Sequence, residues 1–396
     1  MYKFLCSVLL VLTLTHCDTS NPKPQPVAID PVFGQSTRNF SFDFIKTFDQ
    51  DYVGQNYFVS PMSLHMALGM LLNGTEGLSK EELLNVLHLQ NISEEVYNEN
   101  FKKLIDELPK ADPKVVNTLA NSLWQREGFA VNSVYTDLLK ASFKAELHEE
   151  DFTKPATLNK INQWAADNTN DKIKEILTEI SPDQVLFLIN ALYFKGDWKA
   201  KFDKSKTAQK PFYGQNATKQ VDMMMQQDTF AMADLNGIKV LEMPYGDGQY
   251  TMRIVLPENG NVEQVLSGMN QIMWEEMTNK MAVKKVNVSF PKLEMTFNAK
   301  LNDVLKTMGV PSIFSSDANL SGIAGTPGDL VVGFVKQDAF LKVDEEGSEA
   351  AAVTVIGIEL TSVPLVEEFN CDKPFVFFIY EKTSGTIQFI GKINNL

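Results

Sequence analysis

Apolar residues recur at every third or fourth position through most of residues 33–168, which is the spacing of one face of an α-helix. This pattern predicts helices at 33–50, 60–72, 80–87, 93–108, 132–143 and 155–168. The amino-terminal half of the chain is therefore expected to be mainly helical.

From residue 185 the pattern changes to short runs rich in β-branched and aromatic residues, bounded by Gly, Pro, Asn and Asp. Two helices, at 262–279 and 299–308, are predicted to interrupt them. The runs that predict strands are VLFLINALYF, GIKVLEMPY, YTMRIVLP, AVKKVNVSFPKLEMTF, AFLKVD, FVFFIYEK and TIQFIGKI. Helices first and strands later, without strict alternation, predict an α+β fold.

The composition is that of an ordinary globular chain: 396 residues, 44% hydrophobic and 22% charged. No Gly/Ser-rich or charged linker follows residue 35, so residues 32–396 are predicted to form a single domain. The net charge of -14 disfavours a phosphate-binding surface, and nucleic acid is not an expected partner.

Residues 1–17 have the layout of a secretory signal peptide, with Lys3, then an apolar run and then Cys17. The last four residues resemble a bacterial lipoprotein processing box, in which Cys17 would be lipidated. His16 departs from that box, so ordinary signal-peptidase cleavage is the alternative. Residues 18–31 contain four prolines and are predicted to be an extended tether. We expect an extracellular, cell-surface or periplasmic protein, anchored by lipid to a bacterial envelope.

Sequence motifs of known catalytic and metal sites are absent, which gives no support to an enzyme, a metal site or a cofactor. An enzyme that uses dispersed residues stays open as an alternative. The histidines are expected to be structural, and the acidic segment at 148–151 to be a solvated surface rather than a cation site. Cys371 is the one cysteine after Cys17, so no disulfide is expected within the body, and a structural thiol is favoured over a nucleophile.

Residues 345–364 form a long run of small and β-branched residues with little charge. In an extended chain, alternate residues from Ser348 to Leu360 would share an uncharged face, while the other face begins with Glu349 and ends with Glu359. A Glu-Glu-Gly sequence, which favours a loop, directly precedes this pattern. The segment therefore combines the character of a loop with that of a buried strand.

Several sequence blocks occur in an order that is typical of one family. They are NYFVSPMS at 56–63, LINALYFKGDW at 188–198, VSFPKLEMTF at 288–297, AFLKVDEEGSEAAA at 339–352 and FNCDKPFVFFIYEKTSGTIQFIGKI at 369–393. Together they resemble the serpins, the serine protease inhibitor superfamily, over about residues 33–396. The resemblance implies a helix-rich amino-terminal half, large mixed β-sheets and an exposed reactive-centre loop at about 345–364.

In serpins this loop is cleaved by a target protease and then inserts into the main sheet as an additional strand. Small residues at its leading end ease that insertion. The matching hinge residues here are Glu345, Glu346, Gly347, Ser348, Glu349, Ala350, Ala351 and Ala352. Because this hinge carries no proline or bulky residue, the resemblance implies an inhibitor that traps serine endopeptidases as a suicide substrate.

The family's usual loop length places the reactive bond between Thr361 and Ser362. A small residue at that position favours an elastase-like target, and the absence of Lys and Arg from 345–364 disfavours a trypsin-like one. A one-residue shift would offer Leu360 to chymotrypsin-like, subtilisin-like or cysteine proteases. Glu359 would suit a glutamyl-specific enzyme, but the loop would then be two residues shorter.

Other matches concern the opening of the sheet. Ser60, Ser63 and Asn190 correspond to the family's shutter, and Gln337 takes the place of its usual histidine. Trp198 corresponds to the breach, where insertion begins, and Glu345 is expected to pair with Lys292 there. The alternative function is a serpin-fold binding or chaperone protein that traps no protease. The monomer is also expected to polymerise when its loop enters a neighbour's sheet.

Overall fold

The computed structural model describes residues 23–348 and 366–396. The helices in these ranges are α1 (Pro31–Asp51), α2 (Pro61–Leu72), α3 (Gly77–Val86), α4 (Glu94–Glu107), α5 (Ser133–Phe143), α6 (Pro155–Asn168), α7 (Val262–Gly268), α8 (Gln271–Lys280) and α9 (Asn302–Met308). No helix in the described part of the chain is both long and apolar enough to span a membrane.

The strands of the described residues divide into three hydrogen-bonded sheets. In chain order they are β1 (Tyr57–Val59), β2 (Val115–Arg126), β3 (Glu146–Glu150), β4 (Leu186–Asp197), β5 (Ala208–Tyr213), β6 (Thr218–Asp234), β7 (Ile238–Pro244), β8 (Tyr250–Pro257), β9 (Ala282–Pro291), β10 (Leu293–Lys300), β11 (Lys336–Val343), β12 (Gly347–Ser348), β13 (Glu367–Asn370), β14 (Phe375–Glu381) and β15 (Ile387–Ile393). The α+β prediction is correct.

The largest of these sheets has the order β1-β15-β14-β8-β7-β6-β9-β13, with β5 paired to β6. Every residue of β8, β14 and β15 is buried. Helices α1 and α2 pack against β15, α7 packs against β8, and Trp274 of α8 contacts Phe378 and Tyr380 of β14. This two-sided burial explains why they are continuous apolar runs rather than alternating ones.

The other strands form two groups, and β4 of one group lies beside β11 of the other. One is the four-stranded sheet β12-β4-β2-β3, and the other is the antiparallel pair β10-β11. Helix α6 covers β2 and β4 through a separate apolar cluster that includes Trp164, Ile161 and Phe187. Within the described residues, β4 and β11 share no backbone ladder, so a seam separates the two groups.

The helix predictions hold for the first six helices to within about three residues at each end. The helix predicted at 262–279 is in fact two helices, α7 and α8. The chain leaves α7 at Met269, and Asn270 begins a new helix by accepting a hydrogen bond from Met273 N at 2.9 Å. A side-chain cap therefore restarts the helix within a continuous periodic pattern.

The prediction that the first half is mainly helical missed β1, β2 and β3. In β2, Asn117 and Asn121 are buried on the face that would otherwise be apolar. Their amides donate to Tyr250 Oη at 2.9 Å and to the Phe143 carbonyl at 2.8 Å. Buried asparagines with partners interrupt the apolar alternation on which strand prediction depends.

The proline-rich segment predicted as a tether differs from a free linker in its last part. Val27 is buried, and its N–H donates to Thr383 Oγ1 at 2.8 Å. Asp30 receives a hydrogen bond at its carboxylate from Val32 N at 2.8 Å and thereby caps α1. The chain therefore joins the folded body a few residues before the predicted domain boundary at 32.

Candidate functional site: the hinge turn and the sheet opening

Residues 344–347 form a tight turn that reverses the chain at the end of β11. Asp344 N donates to the Gly347 carbonyl at 2.9 Å, and Gly347 N donates back to the Asp344 carbonyl at 3.2 Å. Asp344 Oδ1 also accepts from Glu346 N at 3.0 Å, as aspartate commonly does in turns. The next two residues, Gly347 and Ser348, pair antiparallel with Asp197 and Gly196 of β4. The turn therefore directs the chain into the seam between β11 and β4.

Gly347 is required by the geometry of this turn. Its φ is +132°, which L side chains rarely adopt. A Cβ there would lie 2.5 Å from Trp198 N and 2.6 Å from Asp197 Cα, and closer still to the Gly196 carbonyl oxygen. Any other residue would have to move away from β4, so a glycine here holds the chain against that strand.

Glu345, which follows Asp344 in the turn, is 3% exposed. Its carboxylate is 2.9 Å from Lys292 Nζ and accepts a hydrogen bond from Thr207 Oγ1 at 2.6 Å. Burial opposes its ionisation, but Thr207 and Lys292 outweigh burial and hold the pKa of Glu345 below its ordinary value. The ion pair that the sequence predicted between Glu345 and Lys292 is present.

Glu346, the next residue of the turn, is held by two other lysines. Its carboxylate accepts a hydrogen bond from Lys204 Nζ, and Lys201 Nζ lies 3.7 Å away. The hydrogen bond from Lys204 is the main reason why the pKa of Glu346 is lowered. The carboxylates of Glu345 and Glu346 are therefore charged and paired at neutral pH.

Trp198 joins the turn to the end of β4. Its indole Nε1 donates to the Asp344 carbonyl at 3.0 Å, and its backbone N–H donates to the Glu346 carbonyl at 2.7 Å. The ring stacks on Tyr245 with 4.3 Å between centroids. Phe202 N donates to the Glu345 carbonyl at 2.9 Å. The residue predicted as the breach thus contacts the backbone of the predicted hinge.

Two small cavities follow the seam below the turn, with volumes of about 40 and 30 Å³. The first lies between Leu192 to Phe194 of β4 and Phe340 to Lys342 of β11. The second lies between Asn190 to Leu192 of β4 and Lys336 to Ala339 of β11. Since β4 and β11 share no backbone ladder within the described residues, the edges that they turn toward the seam can offer backbone partners to an additional strand.

The residues predicted as the shutter lie around the second cavity. Ser60 Oγ donates to the Gln388 carbonyl at 2.7 Å and accepts from Ser63 N at 3.0 Å, which caps α2. Gln337 bonds both backbone groups of Ser60, accepting from N at 2.9 Å and donating to O at 2.7 Å. Asn190 donates to Asn121 Oδ1 at 2.8 Å, and its own Oδ1 is buried with no hydrogen-bond partner among the described residues.

The predicted site residues therefore fall into two groups. The hinge residues Glu345, Glu346, Gly347 and Ser348 lie with Trp198 and Lys292 at one end of the seam, and the four shutter residues lie together farther along. The remaining predicted residues lie outside the described residues: Cys17, Glu349, Ala350, Ala351, Ala352, Glu359, Leu360, Thr361 and Ser362.

Sequence reasoning missed Thr207, Lys201 and Lys204, which hold Glu345 and Glu346. The signal was present as a run of lysines directly after Trp198 in an acidic protein. Lysines on a surface segment are usually solvated, so the run could be interpreted only once β4 and the turn were placed together.

The side chains that the sequence offered as a nucleophile or as a cation site have structural roles instead. Cys371 is fully buried, and burial raises the pKa of its thiol well above the ordinary value, which disfavours a nucleophile. His148 lies on β3 and stacks on Trp124 with 3.9 Å between ring centroids. The acidic segment predicted to follow a helix is thus partly an edge strand, and no group of three metal-ligating side chains occurs among the described residues.

Comparisons with known proteins agree on one family. The family model for serpins, described as serine protease inhibitors, matches residues 35–396. Human Serpin B3 is 32% identical over 387 residues, covering 91% of this chain and 98% of that protein. The leukocyte elastase inhibitor of Xenopus laevis is 33% identical over 374 residues, covering 90% and 97%. The native-state structure of tengpin, a thermophilic serpin, superposes with a TM-score of 0.85 at 26% identity, covering 94% of this chain and 97% of that one.

Proposed function

The chain belongs to the serpin family, and we propose that it is a covalent suicide-substrate inhibitor of serine endopeptidases. The observation that carries this proposal is the hinge turn, which directs Gly347 and Ser348 into the seam between β4 and β11. An inhibitor of this kind must convert its bait loop into a sheet strand after cleavage. The first two residues of that strand are already paired with β4.

The register of this pairing indicates where a cleaved loop would go. Gly347 faces Asp197 and Ser348 faces Gly196. Continued residue by residue, the pairing brings Thr354 opposite Asn190 in the inserted state, on the uncharged face of the loop. The Asn190 side-chain oxygen, which has no hydrogen-bond partner among the described residues, would then have a hydroxyl donor nearby.

The chemistry of trapping begins at the reactive bond, which we assign to Thr361 and Ser362. The protease serine would attack the carbonyl carbon of Thr361, the bond to the Ser362 nitrogen would break, and the hydroxyl proton would pass to that nitrogen. The Thr361 carbonyl then forms an ester with the protease. Loop insertion would move the attached protease along the sheet and distort its site before water hydrolyses the ester.

Insertion is favourable because it completes two strand ladders and buries apolar residues of the loop. Until the loop is cut, both of its ends remain attached to the body at β12 and β13, and a full-length strand cannot enter the seam. The intact protein is therefore held in a state of higher free energy by chain connectivity, and its persistence is kinetic.

An elastase-like protease is the proposed target. Thr361 is small and β-branched, which suits a shallow specificity pocket. Similarity to a leukocyte elastase inhibitor supports this class. Attack at Leu360 by subtilisin-like or cysteine proteases, or at Glu359 by a glutamyl-specific enzyme, would leave a shorter loop for insertion.

The test is to mix the purified protein with an elastase-type serine protease and to analyse the products by denaturing gel and mass spectrometry. The proposal predicts a stable band at the summed mass, less a released peptide that begins at Ser362. Cleavage without that band, across elastase-, chymotrypsin-, subtilisin- and papain-like enzymes, would contradict it. That result would favour a non-inhibitory binding or chaperone protein.

We also propose that residues 1–17 direct export and that Cys17 carries a lipid. Mass spectrometry of the mature amino terminus would show an acylated cysteine. A Cys17→Ser variant would then move from the membrane fraction to the soluble one. An unmodified terminus produced by cleavage near residue 17 would instead indicate ordinary secretion.

A further inference from the structure

Glu346 is fixed both through its backbone and through its side chain. Its carbonyl accepts from Trp198 N at 2.7 Å, and its N–H donates to Asp344 Oδ1 at 3.0 Å. Its carboxylate, which is 11% exposed, accepts from Lys204 Nζ. It directly precedes Gly347, the first residue to pair with β4.

The two lysines that hold this carboxylate come from the segment between β4 and β5. Lys201 Nζ lies 3.7 Å from Glu346 and 2.9 Å from Asp197 Oδ2, and Asp197 is the β4 residue that faces Gly347. Lys204 begins a short 3₁₀ helix, and Asp203 caps that helix by accepting from Ser205 N at 2.9 Å. The capped helix gives Lys204 a defined position against the turn.

We propose that Lys204, supported by Lys201, is a positioning residue for loop insertion that docks Glu346 on the end of β4 so that insertion starts in register. The proposal rests on the inhibitory function proposed above. With Glu346 docked, the turn is already ordered, and insertion continues an existing strand instead of nucleating a new one. Without the pair, the turn must first find its register while the acyl-enzyme is exposed to hydrolysis.

A role in positioning predicts that removing Lys204 changes the outcome of the reaction without changing the rate of loop cleavage. Attack on the reactive bond precedes insertion, so the rate of loop cleavage is expected to be independent of Lys204. The share of acyl-enzyme that escapes by hydrolysis depends on insertion and is expected to increase when Lys204 is removed. Because the Lys204 side chain is 66% exposed, solvent screens the pair, and the ratio of hydrolysed to trapped acyl-enzyme is expected to rise about two- to fivefold.

The experiment compares Lys204→Ala with Lys206→Ala. The two lysines lie in the same 3₁₀ helix, and Lys206 forms no ion pair within the described residues. The ratio of inhibitor cleaved without trapping to inhibitor that traps, which is the number of molecules consumed for each protease trapped minus one, is expected to rise about two- to fivefold for Lys204→Ala and to stay at the wild-type value for Lys206→Ala. Equal stoichiometry in the two variants would overturn the proposal.

A charge exchange separates positioning from a general loss of structure. Lys204→Glu and Glu346→Lys are each expected to raise the stoichiometry, and the double variant is expected to return it toward the wild-type value. If the double variant consumes as many inhibitor molecules for each protease trapped as the worse single variant does, a direct ion pair between the two positions is contradicted.

Failure of the inhibitory function can be recognised separately. If the wild-type protein traps no protease, hydrogen exchange at Trp198 N and Phe202 N still reports on docking, because both amides donate to the turn. Docking by Lys204 predicts faster exchange of these two amides in Lys204→Ala than in Lys206→Ala. Equal exchange rates would overturn the positioning role without any reference to proteases.

Discussion

Gln337 bonds both backbone groups of Ser60, although 277 positions separate the two residues in the chain. Ser60 caps α2, and Gln337 lies on β11 beside the second cavity of the seam. The pair therefore fixes the edge of β11 to the start of a core helix. Gln serves here because one amide supplies both an acceptor and a donor.

Gln337→Glu is expected to destabilise the protein in a pH-dependent way. The introduced carboxylate keeps the acceptor for Ser60 N but, when ionised, cannot donate to Ser60 O. Burial and this unfavourable contact would raise its pKa above the unfolded value of about 4.3. The loss in free energy of unfolding should thus be small near pH 4 and grow to about 2–3 kcal/mol as pH rises through the raised pKa.

Chemical denaturation of this variant and of the wild-type protein at matched pH values measures the difference. Comparison at each pH removes the contributions of all other titrating groups. A deficit that is the same at pH 4 and pH 7 would show that the donor to Ser60 O is unimportant.

Gly347→Ala is expected to displace the hinge turn from β4. The methyl group would clash with the backbone of Asp197 and Trp198, and the backbone conformation itself is unfavourable for alanine. Hydrogen exchange at Trp198 N and Phe202 N should accelerate, and more inhibitor should be consumed for each protease trapped. Gly333→Ala is the matched control, because a methyl group there meets nothing within 4 Å.

His65 is expected to cause part of the acid sensitivity of the fold. It is buried among Phe33, Phe40 and Phe101, and burial lowers its pKa to about 3. The unfolded chain binds the proton more tightly, so stability from this site falls by about 1.4 kcal/mol per pH unit as pH drops below about 6.5 toward 3.

His65→Leu should flatten the dependence of unfolding free energy on pH in that window. His88→Asn is a suitable control, because His88 is partly exposed and has a positive φ of 56° that asparagine tolerates. If the two variants show the same pH dependence, His65 does not carry the effect.

Thr361→Arg is expected to redirect the inhibitor to a trypsin-like protease and to weaken trapping of an elastase-like one. The hinge and the seam are unchanged, so the insertion machinery should work for either target. Denaturing gels of the wild-type protein and of Thr361→Arg, each mixed with an elastase-like and with a trypsin-like protease, measure the four outcomes. Cleavage of the arginine variant by trypsin, without a stable complex, would place the reactive bond elsewhere.

Mild heating is expected to convert the monomer into loop–sheet polymers, since the seam of one molecule could accept the loop of another. Size-exclusion chromatography after incubation just below the unfolding transition measures the change. A monomer peak that persists under these conditions would contradict this prediction.

The sequence predicted those features that depend on local pattern. Helix positions followed from apolar periodicity. The loop-and-strand character of 345–364 stays a prediction, because residues 349–364 lie outside the described residues. The family blocks also located Trp198, Lys292 and the shutter residues. Strand β2 was missed because Asn117 and Asn121 find buried partners far away in the chain.

The contacts that hold the hinge depend on tertiary structure and could not be predicted. Lys204 and Thr207 reach the turn only because β4 ends beside β11, and Gln337 reaches Ser60 only because β11 passes the start of α2. Spacing in the sequence contains no information about such approaches between distant segments.

The most direct test of the account is the thermal unfolding of the protein before and after its loop is cut within 349–365. If the cut loop enters the seam, the new strand ladders and buried apolar residues should raise the transition temperature by at least about 10 °C, since one kcal/mol corresponds to roughly 2 °C for a chain of this size. An unchanged or lower transition temperature, as expected for a nick in an ordinary exposed loop, would contradict insertion and with it the proposed inhibitory mechanism.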